Sequence, residues 1–205
     1  MGFRLICAAL VLGVLPLSAA AQEVAITLDD LPYVPVSRTS PAEGLQLVTA
    51  VNAALAAHGI TATGFAVGQQ ITRKTRPALD AFKEAGHVVG NHSWSHPDYG
   101  TLSVAAFAEE TRRTDKALAA WIDGPRYYRF PFLKEGETEA AKTAASDVLT
   151  ALGYRNVPVS IDNDEWQFNA AYLDALEAGD KAEAGRVADA YLSHMQERTA
   201  HFQAL

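Results

Sequence analysis

The sequence predicts an α/β protein built on a parallel sheet, and three observations carry that expectation. Short runs of apolar and β-branched residues alternate with helical stretches of about ten to twenty residues, an order that leads to parallel strands with helical crossovers. Four of the five runs deliver a chemically capable side chain at their C-terminal end, namely Asp29 and Asp30, His92, Arg129 and Asp162. In parallel α/β folds, barrels above all, that edge is where sites are built. No internal repeat, low-complexity tract or Pro/Ser-rich linker divides the 205 residues, so a single domain is expected.

The elements follow in order. From Glu23 the run V-A-I-T-L reads as a first strand that stops at Asp29-Asp30-Leu31-Pro32. Residues 41–58 have helical periodicity, with Ser40 as N-cap and Gly59 as the stop. The run T-A-T-G-F-A-V-G is a second strand, and 76–85 is a helix closed by Gly86. H-V-V-G-N is a short third strand that runs directly into His92. A long amphipathic helix is expected over 103–122, capped by Ser103 and ended by Asp-Gly-Pro. R-Y-Y-R-F-P-F then supplies a fourth strand, with Arg129 near its end. After a helix over 137–152, Y-R-N-V-P-V-S-I-D is read as a fifth strand that terminates at Asp162. Beyond Trp166 the pattern is helical nearly to the end, in two stretches broken near Gly179.

The first 21 residues have the layout of a secretory signal peptide: one Arg, an apolar run to about Leu15, then small residues at Ala19 and Ala21 that form an A-x-A cleavage site. The expected organisation is therefore a signal peptide over 1–21 and a catalytic-type domain over 22–205, exported to the periplasm or secreted. The apolar run is shorter than the roughly 20 residues a membrane span requires, and no other segment qualifies. The only cysteine, Cys7, lies in that leader. A mature chain without a thiol has no disulfide, no thiolate nucleophile and no Cys-ligated zinc, so any metal must be held by nitrogen and oxygen. The net charge is −7, from 17 basic and 24 acidic side chains, with no Lys/Arg block. Such a chain is a poor partner for nucleic acid, where neutralising phosphates supplies most of the affinity. The pattern carries no signal of oligomeric state.

The segment H-S-W-S-H, residues 92–96, places two histidines four apart. If the residues between them take a helical turn, both imidazoles share one face and reach one cation about 2.0 to 2.1 Å away. Taken alone, this spacing also fits surface or core histidines. Strand one offers two adjacent acids, and neighbours on a strand point to opposite faces, so Asp29 and Asp30 are expected to do different work. One would bind a metal and the other would act as base on water, or the pair would simply make Asx-type turn bonds before Leu-Pro.

Together T-L-D-D (27–30), H-S-W-S-H (92–96), R-F-P-F (129–132) and D-N-D-E-W (162–166) resemble, in order and spacing, the first four motifs of the NodB-homology polysaccharide deacetylases, the family 4 carbohydrate esterases. The resemblance implies a distorted parallel (β/α) barrel that binds one divalent cation, usually zinc, and removes N-acetyl groups from an amino-sugar glycan. By motif position it implies Asp30, His92 and His96 as metal ligands, Asp29 as general base and Arg129 as the arginine that orients the base. Pro131 and Phe132 would shape one wall of the substrate groove and Trp166 the other, with Asp162 as the fourth-motif acid. Glu165 departs from the pattern, which more often has Asp there.

The family's proton donor to the leaving amine is a histidine in a fifth motif, L-x-H, at the end of a later strand. Leu192-Ser193-His194 fits those letters but lies in a helical stretch, and reads instead as a helix-surface histidine. No further V/I/L-rich strand follows Asp162, and barrels of this type run to about 250 residues. The expectation is a barrel incomplete at its C-terminus. Two alternatives stand beside the deacetylase: a catalytically silent metal- or glycan-binding fragment, and a related amidase acting on a non-sugar C–N bond. His58 and His201 read as helix-end or helix-surface histidines, and Tyr127 and Tyr128 as packing.

Overall fold

A computed structural model describes residues 23–34 and 39–204. The leader expected over 1–21 lies outside the described residues.

Five parallel strands form one sheet in chain order, β1 (Thr27–Leu31), β2 (Thr63–Ala66), β3 (Val88–Asn91), β4 (Tyr127–Tyr128) and β5 (Arg155–Asn156). Helices α1 (Pro41–Ala57), α2 (Arg76–Glu84), α3 (Val104–Leu118) and α4 (Glu139–Ala151) connect them, followed by α5 (Glu165–Glu177) and α6 (Lys181–Gln203). Parallel strands in sequential order, each followed by a helix, form the wall of a (β/α) barrel. The sheet is therefore of the class the sequence predicts.

The helix starts were legible because each carries its own cap. Ser40 and Glu43 form a reciprocal capping box ahead of Pro41, and Ser103 accepts the amide of Ala106. Several strands differ from their expected spans, and β4 is reduced to Tyr127–Tyr128. β1 begins only at Thr27, because Val24 and Ile26 at its entrance remain exposed. β5 ends at Asn156, so Asp162 does not lie at a strand end. Pro158 explains the early stop, since it has no N–H to continue a ladder.

Two apolar clusters fix the sheet. Leu31, Ala66, Leu79, Phe82, Val89, Leu118 and Trp121 fill one side of β1–β3. Tyr99, Phe107, Tyr128, Phe130, Leu149 and Tyr154 fill the space around β4. Phe107 and Phe130 stack with centroids 5.4 Å apart and planes 9° from parallel. Each buried ring of this kind contributes roughly 1.5 to 3 kcal/mol. The second cluster therefore holds the backbone on both sides of Arg129 rigidly. Tyr128 is 1 % exposed, as expected of a packing residue.

The C-terminal helices differ. α5 buries only Ala175 and α6 only Ala184. They pack mainly on each other, through contacts such as Phe168 against Tyr191.

Candidate active site

The two acids of strand one lie inside β1, and the strand is irregular there. Its register against β2 shifts between Leu28 and Leu31, and Asp30 has φ 58°. A left-handed residue at a bulge cancels the alternation of a regular strand and re-aims the side chain. Asp29 and Asp30 thus both serve the same end of the sheet, through different partners. Asp29 Oδ1 accepts from Arg129 Nη1 at 2.9 Å. Asp30 Oδ1 lies 3.2 Å from His96 Nε2 and 3.7 Å from His92 Nε2.

The segment after β3 is a loop, so the histidines do not meet through a helical turn. Ser93 and His96 take φ 69° and 57°, and this conformation brings the two imidazoles together edge to face, 4.9 Å between centroids. Asn91 stabilises the exit from the strand: its Nδ2 donates to the Thr111 carbonyl at 3.0 Å and its Oδ1 accepts the Ser93 amide at 2.9 Å. His92 is 1 % exposed. Its Nδ1 is 2.9 Å from the Arg129 carbonyl. A carbonyl only accepts, so Nδ1 carries the proton and the Nε2 lone pair faces Asp30. Burial pushes the His92 pKa down to about 4, against the opposing pull of the Arg129 carbonyl and Asp30. His92 is therefore a neutral imidazole at neutral pH.

Arg129 is 3 % exposed and connects four parts of the structure. Besides Asp29, Nη1 donates to Thr27 Oγ1 at 2.6 Å and Nε to the Val157 carbonyl at 3.0 Å, while the guanidinium lies 4.3 Å from the Phe65 ring centroid. Loss of surrounding water raises the Asp29 pKa, opposed first by the Arg129 charge and hydrogen bond and then by His96; the charge of Asp162 adds to the rise. Asp29 keeps 31 % of its side chain exposed, so its second oxygen is open to a reactant.

Of the expected groove residues, Phe132 contacts this cluster directly. The ring of Phe132 meets that of His96 edge to face at 4.6 Å and is 60 % exposed, while Pro131 beneath it is buried. Trp166, at the start of α5, is 66 % exposed. Asp162 is exposed; its carboxylate accepts the Asp164 amide at 3.3 Å and its carbonyl accepts Arg198 Nε at 3.1 Å. The Glu165 pKa is raised, first by burial and then by the charges of Asp162, Asp29 and Asp30. These four acids thus share one electrostatic neighbourhood. His194 is on α6, as its periodicity predicts, but it is half-buried against Asp164 Oδ2 at 3.4 Å rather than free on the surface.

Six non-glycine residues among those described have positive φ: Asp30, Ser93, His96, Phe132, Leu133 and Asp164. All fall in or directly beside the four motif segments. Such conformations cost free energy and persist where surrounding contacts over-determine them, as at functional sites.

The donor set fits a divalent cation. One carboxylate oxygen and two ring nitrogens, from Asp30, His92 and His96, lie within 4.8 Å of one another. Nitrogen and oxygen donors of these types suit a divalent cation, and a backbone carbonyl on the far nitrogen of His92 sets the orientation of that ring. Between Asp30 Oδ1 and His92 Nε2 two acceptors face each other at 3.7 Å, an arrangement that a shared cation satisfies.

Glu110 of α3 was not visible as a site residue in the sequence. Its carboxylate accepts from Ser93 Oγ, from the amides of Trp94 and Ser95 and from Ser95 Oγ, at 2.8 to 3.1 Å. The signal available was its helical position. Glu110 follows Phe107 by one turn and precedes Thr111 and Thr114 on the buried face of α3, where an acid needs a partner.

Comparison with known proteins places the chain in a family. Residues 18–157 match a family model described as polysaccharide deacetylase. The chain is 31 % identical over 116 residues to a chitin deacetylase of Colletotrichum lindemuthianum, covering 53 % of this chain and 44 % of that protein. The solved structure of the chitin deacetylase from that fungus superimposes with a TM-score of 0.55 at 26 % identity, over 71 % of this chain and 58 % of the other. A peptidoglycan-N-acetylglucosamine deacetylase of Listeria monocytogenes is 27 % identical over 157 residues, 76 % of this chain and 29 % of that protein. The chain spans less than half the length of each of these curated relatives.

Proposed function

The chain belongs to the polysaccharide deacetylase family, and we propose that it is a metal-dependent hydrolase that removes N-acetyl groups from an amino-sugar polysaccharide or oligosaccharide of chitin or peptidoglycan type. The observation that carries this reading is the convergence of Asp30, His92 and His96 beside an Asp29 whose carboxylate is held by Arg129. The relatives named as acting on chitin and on peptidoglycan support the substrate class.

In this reading Asp30, His92 and His96 hold one divalent cation, zinc by the donor set. When bound, the cation supplies Lewis acidity toward an acetamide carbonyl and lowers the pKa of water. The remaining work falls to the chain. Arg129 occupies Oδ1 of Asp29, which leaves Oδ2 to take the proton from water. The raised pKa of Asp29 brings its basicity closer to the task than that of an ordinary exposed aspartate. The exposed rings of Phe132 and Trp166 offer faces to a sugar on either side, with Pro131 fixing the backbone under Phe132. Asp162 adds its charge next to Asp29. Export of a domain over 22–205 after removal of 1–21, to the periplasm or beyond, places the enzyme where such polymers occur. Among the described residues no helix is long and apolar enough to cross a membrane.

One observation favours a second reading. The described residues bring no histidine besides His92 and His96 to the cluster, and His194 is engaged with Asp164. A chain without a proton donor for the departing amine would bind metal or glycan without turnover. Metal analysis combined with acetate-release assays on acetylated glucosamine oligomers and on non-sugar acetamides separates these two readings and a related amidase. One equivalent of metal with acetate release supports the deacetylase, metal without turnover supports the silent binder, and acetate release only from non-sugar amides supports a related amidase. Absence of metal binding overturns the ligand assignments.

A further inference from the structure

The H-S-W-S-H loop cannot hold its own shape. Two of its five residues, Ser93 and His96, occupy left-handed conformations that L-residues adopt at a cost, and the intervening amides have no helix or strand to bond with. What answers them is α3. Glu110 Oε2 receives Ser93 Oγ at 2.8 Å, the Trp94 amide at 3.0 Å and the Ser95 amide at 2.8 Å, while Ser95 Oγ lies 3.1 Å from both carboxylate oxygens. Hydrogen bonds to an ionised carboxylate are about twice as strong as neutral ones.

The same face of α3 grips the loop at further points. Arg113, one turn after Glu110, places its guanidinium 3.9 Å from the Trp94 ring centroid. Gly68 also packs against that indole, where a Cβ would come within 2.6 Å of the ring and 2.7 Å of Thr114 Oγ1. The amides of Gly68 and Gln69 take the Ser93 and Trp94 carbonyls at 3.0 and 2.9 Å. Trp94 is therefore clamped beneath the loop, and the three residues between the histidines are held by their backbone donors, backbone acceptors and side chains.

We propose that Glu110 is the positioning residue of this site: by clasping Ser93, Trp94 and Ser95 it sets the separation of His92 and His96, and thereby the affinity of the Asp30–His92–His96 set for a divalent cation. The inference rests on the metal reading given above. Glu110 touches neither ligand ring nor substrate in this role; it acts through the backbone that carries the histidines. Partners that orient ligands from behind typically change metal affinity by about 10- to 100-fold when removed.

The test is titration of the metal-free full chain with Co²⁺, reading both affinity and the visible absorption spectrum, with the melting temperature of the metal-free protein measured in parallel. Glu110→Gln keeps one acceptor oxygen and loses the charge; it is expected to weaken Co²⁺ binding about tenfold and to alter the spectrum. Glu110→Ala is expected to weaken binding about a hundredfold. Glu109→Gln, which removes only an exposed pairing with Arg112, should leave both readouts unchanged. If Glu110→Ala does not fold, Glu110→Gln and Ser95→Ala carry the test. A lowered melting temperature with wild-type Co²⁺ affinity and spectrum would mean a purely structural role and overturns the proposal. His96→Ala distinguishes the underlying reading. If it abolishes Co²⁺ binding while the Glu110 variants bind normally, Glu110 alone was misassigned; if it binds Co²⁺ like wild type, the metal reading and this inference fall together.

Discussion

Two places in this molecule set a histidine against an aspartate in a left-handed conformation, and they differ in what surrounds them. At the strand ends Asp30 has φ 58° and meets His96 and His92; at the C-terminal helices Asp164 has φ 53° and meets His194 at 3.4 Å. The first cluster is assembled by β1, by the loop after β3 and by the carbonyl of Arg129 after β4, and His92 in it is 1 % exposed. The second consists of one side chain from α6 and one from the turn before α5, with side chains 28 % and 41 % exposed. A partly solvated pair of this kind gains little from its charges. A cluster whose members come from several strand ends has its orientation set by the sheet. The chemistry is proposed for the first because, among the described residues, three donor atoms converge there and not at the second.

The largest effect that would break this contrast is loss of the cation. Asp30→Ala is expected to abolish metal binding and reduce acetate release to background, measured by metal content and turnover on acetylated glucosamine oligomers. Asp29→Asn should retain one equivalent of metal and lower kcat by about 10²- to 10⁴-fold, the range for loss of a general base. Equal metal loss in both variants would show that the two acids had been assigned to the wrong roles.

Arg129→Leu tests how far the sheet itself depends on the site. It removes the partner of Asp29 and the bonds to Thr27 and Val157, and should destabilise the fold by about 3 kcal/mol in urea melts, with activity falling in the fraction that remains folded. The smallest effect belongs to the helical pair. Asp164→Asn, which removes the charge but keeps a residue that tolerates the left-handed φ of 53°, should cost less than about 1 kcal/mol and leave metal affinity unchanged. A loss of metal comparable with that of Asp30→Ala would mean that the C-terminal pair belongs to the site after all.

Much of the architecture was legible because it is local. Ser40, Ser103 and the stop glycines mark helix ends by their own hydrogen bonding and backbone freedom, and the expected helices fall within a few residues of α1 to α4. β5 was overextended because V-P-V-S-I alternates like a strand although Pro158 cannot continue the ladder. From the sequence, the convergence of His92 and His96 is conditional on a helical turn, for a related reason. A spacing of four suits a helix, but the loop reaches the same convergence through two left-handed residues.

By itself, then, the sequence determined the order of strands and helices and the family to which the chain belongs, since both depend on neighbours along the chain or on motif order. Only the tertiary structure decided that Asp29 and Asp30 share one end of the sheet with different partners, because that depends on a bulge against β2. It also decided that Arg129 binds Asp29 with one group and orients His92 with another, and that Glu110 clasps the histidine loop. Those contacts join residues from 15 to 100 positions apart, and their distances and burial are set by packing, which no local pattern in the chain encodes.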